Sequence, residues 1–243
     1  NCLYISPTFV CNNKFNTFVV ATVPLWVRFI VPLVELFISL VNEFKVKEIH
    51  FLDDVITANR KFVREFCELL KQEPYKLKLE VSNGLRADMV NYDILSALKS
   101  VGLQNVGFGV ETGSEKIAKL IKKGIKKDRV RKAIKTAKEV GLDTWCFFII
   151  GLPGDTEQTV QETIDFAIEL NPKFSKFLIM KPFPGSEAYF QLDEKGLIDN
   201  RDYSQYGVYT APVHHLEDLS AKRILELQQI AFRKFYFRPS KLL

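Results

Sequence analysis

The sequence is poor in the residue types that most readily declare a chemistry. Its 243 residues include four cysteines, three histidines, two methionines and two tryptophans. Cys2, Cys11, Cys67 and Cys146 are too few for a disulfide framework, and their separations match no metal-ligand spacing. A reducing cytoplasm is the compartment expected for such a chain. Neither sign of charge dominates: 34 Lys+Arg stand against 29 Asp+Glu, and the formal +5 is spread rather than blocked. That distribution points to no nucleic-acid partner. No G-x-S-x-G elbow, H-E-x-x-H pair, Walker A loop or dinucleotide fingerprint occurs, which removes the commonest hydrolase, metalloprotease and nucleotide-binding signatures. Low-complexity tracts and internal repeats are absent as well.

Long apolar runs are also scarce, with one exception. Phe18 to Val41 is mostly apolar but contains Pro24, Arg28, Pro32, Glu35 and Ser39. A membrane helix needs about 20 largely apolar residues, and a central Arg costs roughly 2.5–3.5 kcal/mol on insertion. The segment therefore reads as a buried helix or strand pair rather than a span. It lies too far from a Met and a basic leader to be a signal peptide. The chain opens on Asn1, which suggests a start cut away.

What is present is the composition of a packed α/β protein. Hydrophobic residues make up 47% and charged residues 26%, enough apolar surface to offset chain entropy. Beyond Val46, runs rich in β-branched and aromatic residues recur at Lys47–Leu52, Leu77–Ser82, Asn105–Val110, Thr144–Ile150 and Phe174–Ile179. Their spacing is that of strand–helix units. Helical faces lie between them: Phe62, Phe66, Leu69 and Leu70; Ile94, Leu95, Leu98 and Val101; Val130, Ala133, Ile134 and Ala137; Val160, Ile164, Ala167 and Ile168. Asn91 reads as a helix cap, Asp155 with Gln158 as a capping pair, and Gly102 and Gly141 as helix-ending glycines. The alternation predicts a partial (β/α)6 TIM-like barrel, incomplete at its N-terminus. We expect an atypical apolar segment over 1–45, the partial barrel over 46–190 and a helical tail over 191–243, with one long helix from Ser220 to Arg238.

Right-handed crossovers place the C-terminal ends of parallel strands on one rim, so polar residues there are the candidates for function. Asp53 and Asp54 can accept hydrogen bonds from an ammonium group or hold a metal, or simply cap a helix. Asn83 and Gly84 favour a tight turn. Arg86 can clamp a carboxylate, or pair with Asp88 at the surface. Gly107 and Gly109 alternate along a strand and either expose backbone to a ligand, with Glu111 at the strand's end to bind ribose hydroxyls or an amine, or serve packing alone. Gly151, Leu152, Pro153 and Gly154 form a turn with an apolar wall and backbone polar groups, suited to an adenine edge or simply connecting strand to helix. His50 reads as a satisfied core histidine. The pair His214–His215 lacks a third ligand nearby and reads as structural.

Together these rim motifs resemble the radical S-adenosylmethionine (SAM) superfamily, and in particular its cobalamin-binding subgroup of anaerobic magnesium-protoporphyrin cyclase-like and methyltransferase-like enzymes. The likeness runs from about Val46 to the C-terminus. It rests on IHFLDD (Ile49–Asp54), NGLRAD (Asn83–Asp88), VGFGVETGSE (Val106–Glu115), FFIIGLPGDTEQT (Phe147–Thr159), KPFPGSE (Lys181–Glu187) and FYFRPSKLL (Phe235–Leu243).

The resemblance implies SAM lying across the strand ends. Asp53 and Asp54 would meet its methionine amine, Arg86 would sit near the cofactor, Glu111 would bind SAM, and Gly151 to Gly154 would line the adenine pocket. It implies a [4Fe–4S] cluster that cleaves SAM reductively to a 5′-deoxyadenosyl radical, a flavodoxin or ferredoxin reductant, and a small-molecule substrate. Cobalamin would come from an upstream domain. The family's C-x3-C-x2-C cluster motif is missing: Asn1-Cys2-Leu3-Tyr4 resembles its last part, with Cys2 a remnant ligand. Two readings follow, a radical SAM enzyme or its fragment, and a catalytically inactive SAM-binding or interaction protein on the same fold.

Overall fold

The computed structural model describes residues 9–12, 17–20, 30–52, 56–124 and 126–242. Seven strands are found among them: β1 (Phe9–Asn12), β2 (Thr17–Val20), β3 (Glu48–Phe51), β4 (Lys78–Val81), β5 (Asn105–Glu111), β6 (Asp143–Ile150) and β7 (Phe174–Ile179). The helices are α1 (Ile30–Phe44), α2 (Arg60–Lys71), α3 (Tyr92–Ser100), α4 (Glu115–Leu120), α5 (Lys127–Val140), α6 (Glu157–Leu170), α7 (Glu187–Glu194), α8 (Ala221–Tyr236) and α9 (Pro239–Leu242). One sheet has the order β1-β2-β3-β4 and the other β5-β6-β7. β1 is antiparallel to β2, whereas β2, β3 and β4 are parallel. In the second sheet Asp143 N–H donates to Gln104 C=O beside the strand starts, and Met180 N–H donates to Ile150 C=O beside the strand ends. Starts meet starts and ends meet ends, so these strands are parallel too. The result is the strand–helix alternation of a partial (β/α)6 barrel.

Contacts divide the chain into two compact units, Asn1–Gly109 with Asp128–Trp145, and Val110–Lys127 with Cys146–Leu243. In the first, burial alternates along β3 and β4, so Ile49, Phe51, Leu79 and Val81 are buried while their neighbours are not. Such alternation is what a strand packed on one face produces. The covering residues are Leu33, Val34, Phe37 and Leu40 of α1 and Phe62, Val63, Phe66 and Leu70 of α2. The Phe37 ring lies 5.7 Å from Phe51 and 5.4 Å from Phe66. Asn59 and Asn91 cap α2 and α3 by accepting from Phe62 N–H and Ile94 N–H. Gly102 and Gly141 follow α3 and α5 with positive φ, as expected.

In the second unit Phe148 stacks on Phe177 at 5.3 Å, and Phe235 of α8 meets Phe177 edge-on at 6.1 Å. Tyr236 fastens α8 to β7, its hydroxyl accepting from Ser175 N–H at 2.9 Å and donating to Ser175 C=O at 2.8 Å. The tail helix begins at its Ser220 cap and stops at Tyr236, with one further turn from Pro239.

Two details differ from expectation. The cap of α6 is Thr156 in a reciprocal pair with Thr159, not Asp155 with Gln158, because the Asp155 carboxylate turns back toward the loop before the helix. His50 is half-buried rather than part of the core. Of the apolar run, Thr17–Val20 forms a strand and Ile30–Phe44 a helix. Among the described residues no helix is long and apolar enough to cross a membrane.

Candidate functional site

In the second unit the last residue of β5 has an uncommon backbone. Glu111 has φ +67°, and Thr112 N–H donates to Val110 C=O at 2.9 Å. A two-residue hydrogen bond around a positive-φ centre is a γ-turn, a strained arrangement for a residue with a side chain. The chain after it is pinned. Thr163 Oγ1 of α6 accepts from Gly113 N–H at 2.9 Å and lies 3.1 Å from Thr112 Oγ1, which itself accepts from Ser114 N–H. At Gly113 a Cβ would stand 2.5 Å from Glu162 O, so only glycine lets the loop approach α6 this closely. The Glu111 carboxylate, about one-quarter exposed, pairs with Lys123 Nζ at 3.0 Å. Its charge is thus held at the strand end by backbone strain, helix packing and one ammonium.

The turn after β6 is built on a second carboxylate. Asp155 is 3% exposed, and its Oδ2 accepts from Gly151 N–H at 3.1 Å and Leu152 N–H at 2.9 Å. Thr159 Oγ1 lies 2.7 Å from its Oδ1. Burial pushes this carboxyl up to about 6 despite those bonds. On the other side His214, fully buried, hydrogen-bonds Gly151 C=O through Nε2 at 2.8 Å, and burial lowers its pKa. The neutral ring then donates from Nε2. Its Nδ1 finds no partner among the described residues. Gly151–Gly154 is therefore a rigid turn held from both sides. Beside it a cavity of about 520 Å³ is lined by Leu120, Ile121, Leu152, Pro153, Met180 and Phe183 among others, a size suited to a small molecule.

In the first unit the Arg86 guanidinium pairs with Asp88 through two bonds of 3.1 and 2.9 Å, the surface pairing weighed above. Asn83 Nδ2 donates to Leu52 C=O at 2.9 Å. Gly84 has φ +77°, and a Cβ there would stand 2.8 Å from Gly107 O, which accepts from Leu85 N–H. Gly109 continues the same strand. Asp53, Asp54 and Cys2 lie outside the described residues.

A model of the radical SAM superfamily matches residues 11–167. The chain belongs to the radical SAM superfamily. Among relatives of this radical SAM chain is an uncharacterized methyltransferase of Pyrococcus horikoshii, 33% identical over 201 residues that cover 83% of this chain and 43% of that protein. Another is the anaerobic magnesium-protoporphyrin IX monomethyl ester cyclase of Cereibacter sphaeroides, 25% identical over 83% of this chain and 33% of that protein. The chain spans less than half the length of either. Two solved structures share the fold. The radical S-adenosylmethionine methyltransferase TsrM from Kitasatospora setae, with cobalamin and a [4Fe-4S] cluster bound, has TM-score 0.56 and 17% identity over 83% of this chain and 40% of that one. Coproporphyrinogen III oxidase of Escherichia coli, a radical SAM enzyme, has TM-score 0.54 and 21% identity over 77% of this chain and 40% of that one.

Membership implies SAM and a [4Fe–4S] cluster. A cluster needs thiolates. Cys67 and Cys146 are both buried, and burial pushes the Cys67 thiol up to about 12. Among the described residues no cysteine joins a group of three ligand side chains. Cys67 and Cys146 thus do not fit a cluster. Three features escaped the sequence reading: the Lys123–Glu111 pair, the His214–Gly151 contact and the Asp155 anchor. Only the last has a sequence signal, an Asp directly after a Gly-Leu-Pro-Gly turn.

Proposed function

We propose that this chain is part of a radical SAM enzyme and that its second unit supplies contacts to SAM. The observation that carries the reading is Glu111. A carboxylate fixed in a γ-turn at a strand end, with a lysine 3.0 Å away, is built to meet a polar ligand rather than to hold the fold together. It is suited to accept hydrogen bonds from ribose hydroxyls or an ammonium. The rigid Gly151–Gly154 turn presents backbone groups and the apolar side chains of Leu152 and Pro153, the contacts a purine edge uses. The chain's own part in this chemistry is binding and orienting. Contacts from Asp53, Asp54, Asn83, Arg86, Gly107 and Gly109 rest on the resemblance, as does Cys2 as a ligand. A [4Fe–4S] cluster and cobalamin are the cofactors proposed for the whole enzyme, with thiolates from outside the described residues. A flavodoxin- or ferredoxin-type reductant and a small-molecule substrate are its proposed partners, and the cytoplasm its place.

Calorimetry with SAM on the 243-residue chain tests the reading. Saturable heat is expected, and Glu111→Ala should weaken binding by about 1.5–3 kcal/mol, the scale of a charged hydrogen bond. No heat at millimolar SAM rejects the proposal. Binding that Glu111→Ala leaves unchanged moves the site elsewhere.

A further inference from the structure

The less buried face of β3 and β4 has a different chemistry from the buried one. Glu48 and His50 alternate with Ile49 and Phe51 on β3, and Glu80 alternates with Leu79 and Val81 on β4. The parallel register sets His50 directly beside Glu80. One imidazole and two carboxylates converge as a result. His50 Nε2 lies 2.7 Å from Glu48 Oε1 and 3.6 Å from Glu80 Oε2, and one ligand atom from each of the three falls within 4.8 Å of the others. The side chains are 21%, 32% and 36% exposed for His50, Glu48 and Glu80, sheltered yet open to solvent.

From this geometry we infer a binding site for one divalent transition-metal ion of the zinc class, held by Glu48, His50 and Glu80. A tetrahedral ion with bonds of about 2.0–2.2 Å sets its donor atoms roughly 3.3 Å apart. The observed separations of 2.7 and 3.6 Å bracket that value, so small side-chain rotations close the set. Ser82 Oγ lies 3.2 Å from His50 Nδ1. With Nδ1–H donating to this hydroxyl, Nε2 presents its lone pair to an ion, the second-sphere arrangement common to metal-bound histidines. Charge favours occupancy as well. Lys78 shares the strand face, yet among the described residues His50 is the sole partner that forms an ion pair with either carboxylate. Two like charges close together are relieved by a cation. Nitrogen with two carboxylates selects a borderline ion over Mg²⁺ or Ca²⁺, which prefer all-oxygen sets. Three protein ligands leave a fourth position for water or a small ligand.

The test titrates the full chain, stripped with chelator, with Co²⁺ and follows its visible d–d absorption. One saturable equivalent is expected, suppressed by competing Zn²⁺ and unaffected by Mg²⁺. His50→Ala should abolish saturation and Glu80→Gln should weaken it at least about tenfold, with unchanged far-ultraviolet circular dichroism. Ser82→Ala should weaken it by about 10–100-fold, the usual effect of losing an outer-sphere partner. Absence of the band in the unmutated chain overturns the inference. So does a band that both ligand variants leave unchanged, or one carrying intense thiolate charge transfer, which would assign the ion to cysteine.

Discussion

Replacing Asp155 by asparagine should remove a pH dependence that the unmutated protein carries. The carboxyl is raised from 3.8 to about 6 by burial, and it anchors the Gly151–Gly154 turn. In its neutral form the bonding closes: Oδ1–H donates to Thr159 Oγ1, whose own hydrogen passes to Thr156 C=O at 3.1 Å. A carboxamide has the same shape and the same donor. The folded-state value lies above the unfolded one, so the stabilising contribution is complete below about pH 4 and is lost as pH rises through about 6. A shift of about two units at roughly 1.4 kcal/mol each makes the loss about 3 kcal/mol. For a chain of this size that is about 6–12 °C in thermal midpoint. The assay is the difference between Asp155→Asn and the unmutated protein, by urea and thermal unfolding, from pH 4 to 8. The variant should gain relative stability across the lower half of that range and level off above pH 7. A difference that stays constant with pH refutes the assignment, and a variant that fails to fold refutes the claim that the neutral network suffices.

The other expectations concern backbone and thiol. Glu111→Gly should be more stable than Glu111→Ala by about 1–2 kcal/mol, reversing the usual order, because φ +67° penalises any Cβ; equal denaturation midpoints would show the γ-turn to be unstrained. Gly102→Ala should cost about 2–4 kcal/mol in urea unfolding, since its Cβ would fall 1.9 Å from Leu77 O at φ +115°. A loss under 1 kcal/mol there would mean that α3 moves freely against β4. Cys67, fully buried and with its thiol pushed up to about 12, should react with aromatic disulfide reagents only as fast as the chain opens. Modification at the rate of a free thiol would contradict that burial.

Much of the fold is legible in the residues, and the reason is local. β7 spans Phe174–Ile179 as its run predicts, and β3 to β6 differ by a residue or so at their ends. Each is a run with turn residues on both sides. Val130, Ala133, Ile134 and Ala137 are buried on one face of α5, as the helical period demands. β2 is ambiguous between helix and strand in the sequence because Phe18 opens an apolar run that shows neither period clearly. Asp155 was misjudged as a cap because Asp favours helix starts, whereas Thr156 one residue later has the reciprocal Thr159 partner. The site was less legible than the fold. Glu111 stands out beside its glycines, but Lys123 reaches it only because α4 folds back, and His214 reaches Gly151 from 63 positions away. Distances of that kind are made by tertiary packing and leave no periodic trace.

The one-sided anchoring of β3 and β4 separates upkeep of the scaffold from choice of chemistry. Ile49, Phe51, Leu79 and Val81, which secure these strands, are buried on the face opposite to positions 48, 50 and 80, so exchanges at those three positions leave that hydrophobic seam intact. A scaffold divided in this way can acquire or discard a reactive group by single substitutions without first being rebuilt, which makes it a ready starting point for engineering new ligands into the same walls.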